Sequence, residues 1–134
     1  MKTPIGALVV CMLVVGCGGG EKPKPKPISG PAKEVAAVVE RLEKATAQKD
    51  FSTICDELLT ASTRKQAGGV DCPAVLEARA RGVARPRIVI QGIEVQGERA
   101  QVRVRTTATG QAATTDVLRL VRENGRFRVS ALGR

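Results

Sequence analysis

Histidine, tyrosine and tryptophan are absent from this 134-residue chain, and Phe51 and Phe127 are its only aromatic residues. Without histidine there is no imidazole general base, no Ser-His-Asp triad and no histidine-ligated metal. Without tryptophan and tyrosine there is no stacking platform for a sugar ring. Two phenylalanines are too few for single-stranded nucleic acid, which is held by stacking bases on aromatic side chains. No metal, no cofactor and no nucleic-acid partner is expected. Long apolar runs are missing as well. Ile5 to Val15 is apolar or small throughout, but as a helix it would span about 16 Å, and a bilayer core needs about 20 residues.

That run is the right length for the apolar region of a secretory signal, which is removed after export. Met1-Lys2-Thr3 supplies the positive start, and the run closes in Val14-Val15-Gly16-Cys17 with Gly18-Gly19-Gly20 behind it. The closing four residues resemble the lipobox of bacterial lipoproteins. The resemblance implies that residues 1–16 are a signal peptide, that Cys17 carries a diacylglyceryl group, and that the mature chain starts there. The expected location is the extracytoplasmic side of the cell membrane, held by the lipid, or the outer membrane if the host has one. Several acyl chains on one residue anchor firmly, at roughly 0.8 kcal/mol per buried CH₂. The competing reading is a plain secretory signal with an incidental cysteine.

Residues 17–32 read as a tether. Its Lys-Pro repeat, Lys22 to Pro27, is barred from a helix, because proline fixes φ, lacks an N–H and pushes its predecessor out of the α region. Fourteen extended residues reach up to roughly 40 Å at about 3.1 Å each. The lysines can meet anionic headgroups or wall polymer, or simply keep a linker solvated. Four of the 22 basic residues and one of the 13 acidic ones precede residue 33. The remaining 102 residues, 33–134, therefore carry a formal +6, and they make one domain with a modest core.

Two of the four cysteines lie in that domain, Cys55 and Cys72. An even pair in an oxidising compartment reads as a disulfide, with two free thiols or a redox pair as the alternatives. Their separation does not match Cys-x-x-Cys. A loop of this length gives about 3 kcal/mol in the chain-entropy model.

The apolar pattern changes period partway along. Val35, Val38, Val39, Leu42 and Ala45 follow helical spacing, and that helix should end near Lys49-Asp50. Ser52 is expected to cap a second short helix with Ile54, Cys55, Leu58 and Leu59 inward. A polar turn or helix at 62–66 stops at Gly68-Gly69, and Asp71-Cys72-Pro73 opens another helix. After Pro86 the pattern alternates. A strand over 88–95 carries a bulge at Gly92. Ala100, Val102 and Val104 mark a second strand, and residues 117–121 a third. Asn124-Gly125 is a hairpin signal, and Phe127, Val129 and Ala131 mark the last strand. Helices first and a meander afterwards predict an α+β domain, with N-terminal helices packed on a curved antiparallel sheet of about four strands.

The starting helix, the Lys49-Asp50-Phe51 step, the two helical cysteines and the closing hairpin over 118–132 resemble small NTF2-like domains, relatives of the SnoaL-like and ketosteroid-isomerase-like cone folds. The resemblance covers about residues 33–132 and carries no catalytic motif. Isomerase-like members pair an Asp base with a Tyr-containing oxyanion hole, and this chain has no Tyr. Asp116 is the one acid placed for such a role, and it is expected to cap a strand start at the surface. The expected function is a non-enzymatic binding or scaffolding domain at the cell envelope, with an envelope protein or a small apolar ligand as partner. The alternative is envelope contact through Arg103, Arg105, Arg126 and Arg128. These fall on the polar side of their strands and would bind anionic lipid or wall polymer, or form a merely solvated face.

Intact mass of the protein purified from membranes of a lipoprotein-competent host tests the anchor and the bridge together. The expected species starts at a lipid-modified Cys17 and gains about 2 Da on reduction, as a disulfide takes up two hydrogens. A species still carrying Met1 removes the anchor.

Overall fold

The computed structural model describes residues 27–133. The signal segment, Cys17 and most of the tether lie outside the described residues. Helix α1 runs Pro31–Gln48, with proline in its first turn and Glu34 near its positive end, both suited to a helix start. It begins two residues before Lys33. Its buried face is Val35, Ala36, Val39, Leu42 and Ala45, while Val38 is only half buried. Lys49 ends it in the left-handed conformation, its N–H returning to the carbonyls of Ala45 and Thr46.

Helix α2, Phe51–Thr53, runs directly into a π-helical segment, Ile54–Leu58. Its cap is Asp50 and not Ser52. The Asp50 carboxylate accepts from the Thr53 N–H at 3.0 Å and the Thr53 hydroxyl at 2.7 Å, whereas Ser52 already lies inside the helix. Phe51, Ile54, Cys55, Leu58 and Leu59 are buried. Helix α3, Ala61–Gln66, is capped by Thr60, whose buried hydroxyl accepts from the Thr63 N–H at 3.1 Å. Gly68 ends that region at φ 121°, a conformation open essentially to glycine alone. A Cβ there would lie 3.0 Å from a Val75 methyl. A 3₁₀ turn, Gly69–Asp71, leads into helix α4, Cys72–Arg79, with Pro73 in its first turn.

Four strands follow: β1 Arg87–Gln96, β2 Arg99–Thr107, β3 Thr114–Glu123 and β4 Arg126–Gly133. They form one antiparallel meander in the order β1-β2-β3-β4. The α+β expectation holds, down to the strand count. The β1/β2 register slips between Ile90 and Gly92, at the bulge that the parity change predicts. A second slip, between Arg119 and Leu120, sets Ser130 out of register in β4, so the alternation of Phe127 and Val129 does not extend to Ala131. Ser130 is fixed there: its hydroxyl donates to the Arg119 carbonyl at 3.1 Å and its carbonyl accepts from the Thr63 hydroxyl at 2.7 Å. Bulges bend and twist a strand, and both slips help curve the sheet around α1. Asn124 and Gly125, at φ 51° and 77°, make the tight turn that Asn-Gly favours.

The core lies between α1 and the inner sheet face. It joins Val35, Val39 and Leu42 to Ala100, Val102, Val104, Leu118, Leu120, Phe127 and Val129. One end is closed by Arg122. Its guanidinium lies 3.1 Å from Glu34 at the start of α1 and 3.6 Å from Glu98 in the β1–β2 turn. It also donates to the Gly125 carbonyl at 3.0 Å and stands 4.3 Å over the Phe127 ring. That stack is a cation–π contact.

Two hydrogen bonds from Thr53, the backbone one first, hold the Asp50 carboxyl below its ordinary value of 3.8. A lowered folded value means that the cap stabilises above the unfolded value and that this gain is lost as pH falls through the folded one. Asp50→Ala is expected to lower the melting temperature at neutral pH. The gap to the parent should close in acid below the folded value. Melts followed by circular dichroism across that range check it, and a gap that persists in strong acid contradicts the cap.

Candidate functional site

At the end opposite Arg122 the helices and the sheet part to leave a cleft of about 480 Å³. Leu42 and Thr46 enter from the last turns of α1, and Phe51 and Ile54 from the step after it. Leu76, Arg79 and Ala80 come from α4, and Ile88, Val104, Thr106, Asp116 and Leu118 from the sheet. The walls are therefore largely apolar, with four polar groups among them. The Thr46 hydroxyl is already spent on the Leu42 carbonyl at 2.7 Å. Arg79 is exposed, and among the described residues no carboxylate lies within ion-pair distance of it. A second lobe of about 360 Å³ shares Leu42, Ile54, Leu76 and Arg79 with the first and runs toward Thr63 and Ser130.

Asp116 differs from the expectation. Its carboxylate does bond Thr114, the first residue of β3, as a strand-start cap would, but the residue does not lie wholly at the surface. It is half buried, pairs across from Val104 in the register, and lines the cleft, with its carboxylate accepting from the Thr114 hydroxyl at 2.9 Å. The cause is strand length. β3 begins at Thr114 rather than near Val117, so Asp116 takes the parity of Leu118 and Leu120 and turns inward.

The α4 wall is held by covalent chemistry. Cys55 and Cys72 form a disulfide with a Cα–Cα separation of 6.1 Å, inside the range such bonds span. Both cysteines are fully buried. Cys55 sits in the π-helical segment and Cys72 opens α4, so the bond ties the α4 wall of the cleft to the core. Leu76 and Ala80, which line the cleft, are only half buried and contribute less to holding the helix.

The predicted basic residues are placed as two pairs. Arg103 and Arg105 lie on β2, Arg126 and Arg128 on β4, and β3 separates them. Arg128 is taken up by structure. Its guanidinium donates to the Asp56 carbonyl at 2.9 Å and to the Leu59 carbonyl at 3.3 Å, satisfying the C-terminal end of the π-helical segment. Arg103, Arg105 and Arg126 are exposed. A hollow of about 390 Å³ beside Arg128 also holds Arg64, Asp56 and Glu123. These groups serve one another and the fold: Arg64 pairs with Asp56 at 2.9 Å, and Glu123 accepts from the Ala61 N–H at 3.2 Å. Among the described residues no cluster of His, Cys, Asp or Glu could hold a metal.

No family model matches the chain, and no curated protein matches it. Solved structures do. An NTF2-like protein of unknown function from Silicibacter pomeroyi is 18% identical, with a TM-score of 0.56 over 75% of this chain and 90% of that one. An NTF2-like protein of unknown function from Shewanella baltica is 20% identical, with a TM-score of 0.54 over 78% and 94%. A de novo designed NTF2-fold protein is 19% identical, with a TM-score of 0.52 over 74% and 83%. The class is thus an α+β domain of NTF2-like fold, a curved four-stranded sheet with helices on its inner face. A fold of this kind does not transfer an activity.

Replacing both cysteines, Cys55→Ala with Cys72→Ala, is expected to cost about 3 kcal/mol in denaturant unfolding. Amide hydrogen exchange should rise first along 72–80, while β2 and β3 stay protected. Uniform loss of protection would show that the bond supports the whole core and not the cleft wall in particular.

Proposed function

We propose that this chain is a lipid-anchored extracytoplasmic protein whose NTF2-like domain binds a small apolar ligand with one polar end and performs no chemistry on it. The cleft carries this reading: apolar walls with a few convergent polar groups are the usual form of a small-molecule site. A ligand's apolar body would lie against Leu42, Phe51, Ile54 and Leu76. Its polar end would meet Arg79 of α4 and Asp116 of β3.

A binding role is favoured over catalysis by what the cleft is made of. Among the described residues Asp116 is the one carboxylate lining it. The chain has no histidine or tyrosine to act beside that acid. General acid–base chemistry needs a positioned partner within hydrogen-bond reach of the moving proton.

The envelope placement is supported by Val14-Val15-Gly16-Cys17 and the Lys-Pro tether. A buried disulfide in the domain fits an oxidising compartment. No helix among the described residues is long and apolar enough to cross a membrane.

The neutral dye N-phenyl-1-naphthylamine, which brightens in apolar surroundings, tests the cleft. The protein should enhance it, and 0.5 M salt should leave the titration unchanged. Ala80→Trp, which places an indole in the cleft from a half-buried position, should weaken binding roughly tenfold or more while the fold is retained, since overfilled apolar sites reject further volume. Equal dye binding by the folded variant would move the site elsewhere, and no binding by the parent would end the small-ligand reading.

A further inference from the structure

The outer sheet face, turned away from the helices, has a composition that the cleft does not explain. In β2 the exposed residues are Arg99, Gln101, Arg103 and Arg105, alternating with buried Ala100, Val102 and Val104. Arg119 of β3 stands directly across from Gln101, at the level between Arg99 and Arg103. Each β2 arginine is set across from a valine: Arg105 from Val89, Arg103 from Val117, and Arg99 from Val121. Val89 is 53% exposed. The acids in register on this face are Glu94 and Glu123, and Glu123 is committed to the Ala61 N–H. Among the described residues no carboxylate lies within 4.0 Å of Arg99, Arg103, Arg105 or Arg119.

That arrangement is unfavourable in isolation. Same-face neighbours along a strand are about 7 Å apart and adjacent strands about 4.8 Å. Arg103 and Arg105 therefore stand about 7 Å apart, within a Debye length of about 8 Å, Arg119 sits diagonally between Arg99 and Arg103 at only slightly more, and like charges on one sheet face repel. Pairing with a second copy through the same face would set arginines against arginines. An anionic plane would relieve the repulsion at every position at once, because guanidinium forks fit phosphate oxygens. We propose that this face, centred on Arg99, Arg103, Arg105 and Arg119, docks the domain onto an anionic phospholipid surface.

The proposal rests on the envelope placement and is independent of the cleft. Gly18 to Gly30, the residues between Cys17 and α1, span at most roughly 45 Å fully extended, so a domain held at Cys17 stays within about that distance of the headgroups. A tether of that kind makes weak contacts effective by raising local concentration. Docking by the outer face would leave the helices and the cleft directed away from the lipid.

The chain contains no tryptophan, so a single introduced one reports its own surroundings. Full-length protein carrying Gln101→Trp on the outer face, or Glu77→Trp on exposed α4, is reconstituted into vesicles. Their composition is one part phosphatidylglycerol to two parts phosphatidylcholine, with a headgroup spin-labelled lipid as quencher. Flotation records attachment and fluorescence records orientation. We expect Gln101→Trp to be quenched roughly threefold more than Glu77→Trp, since anionic leaflets attract basic surfaces. The difference should vanish on pure phosphatidylcholine, in 0.5 M salt, and when Arg103→Glu and Arg105→Glu are added, both at exposed positions that tolerate change. Attachment with equal quenching of the two probes overturns the docking and leaves the anchor intact. Flotation with neither vesicle overturns both. Retention on heparin that the two reversals abolish, without selective quenching on vesicles, overturns the lipid assignment in favour of a soluble polyanion.

Discussion

Everything in this domain depends on α1 lying inside the curve of the sheet. A chain with two phenylalanines and no larger aromatic must build its core from small aliphatic side chains. Val35, Val39 and Leu42 on one side meet Val102, Val104, Leu118 and Leu120 on the other. Side chains of that size fill the space only where the layers approach closely, and close packing is what gives a small core its stability. The two register slips help bend the sheet enough for that approach. A flat sheet would leave α1 in contact with fewer strands.

The two ends of the curve are treated differently. At the Arg122 end, one guanidinium joins the start of α1, the β1–β2 turn, the β3–β4 turn and the Phe127 ring. Its side chain is 23% exposed while the two glutamates are 55% and 75% exposed, so these ion pairs act mainly as surface pairs and the ring contact is the better shielded part. At the other end Glu43 ties α1 to the sheet only at the β1 edge, its carboxylate accepting from the Ile88 N–H at 2.6 Å and lying 3.7 Å from Arg87. Apolar residues from α1, α4 and the sheet face one another across space. The aperture lies beyond that edge contact, where the short helix α4 is held by the Cys55–Cys72 bond.

Much of the fold was legible in the sequence, because periodicity reports burial. The strides of α1, the alternation of β2 and the parity change near Gly92 all have one physical cause, and each appears in the structure. The Asn124-Gly125 turn was legible for a different reason, since few residue pairs accept positive φ in succession. The slip opposite Ser130 left no trace, because Ser130 and Ala131 are both small and polar-tolerant and neither declares a face. The π-helical turn was hidden as well, being a matter of hydrogen-bond register and not of side-chain type. Arg122 and Arg128 look like any other arginine along the chain. Only the strand pairing shows that Arg122 takes the inner parity and that Arg128 borders the carbonyls of the π-helical segment. The cleft was least legible, since its residues come from many separate points in the sequence. The inward turn of Asp116 leaves no sequence signal, because the start of β3 is polar and reads as loop.

The covalent pin of α4 also has a bearing on timing. The bond between Cys55 and Cys72 cannot persist in a reducing cytosol. On the export reading, α4 stays unfastened until the chain leaves the cytosol. The wall of the cleft is then completed only after translocation, when oxidation joins the two buried sulfurs.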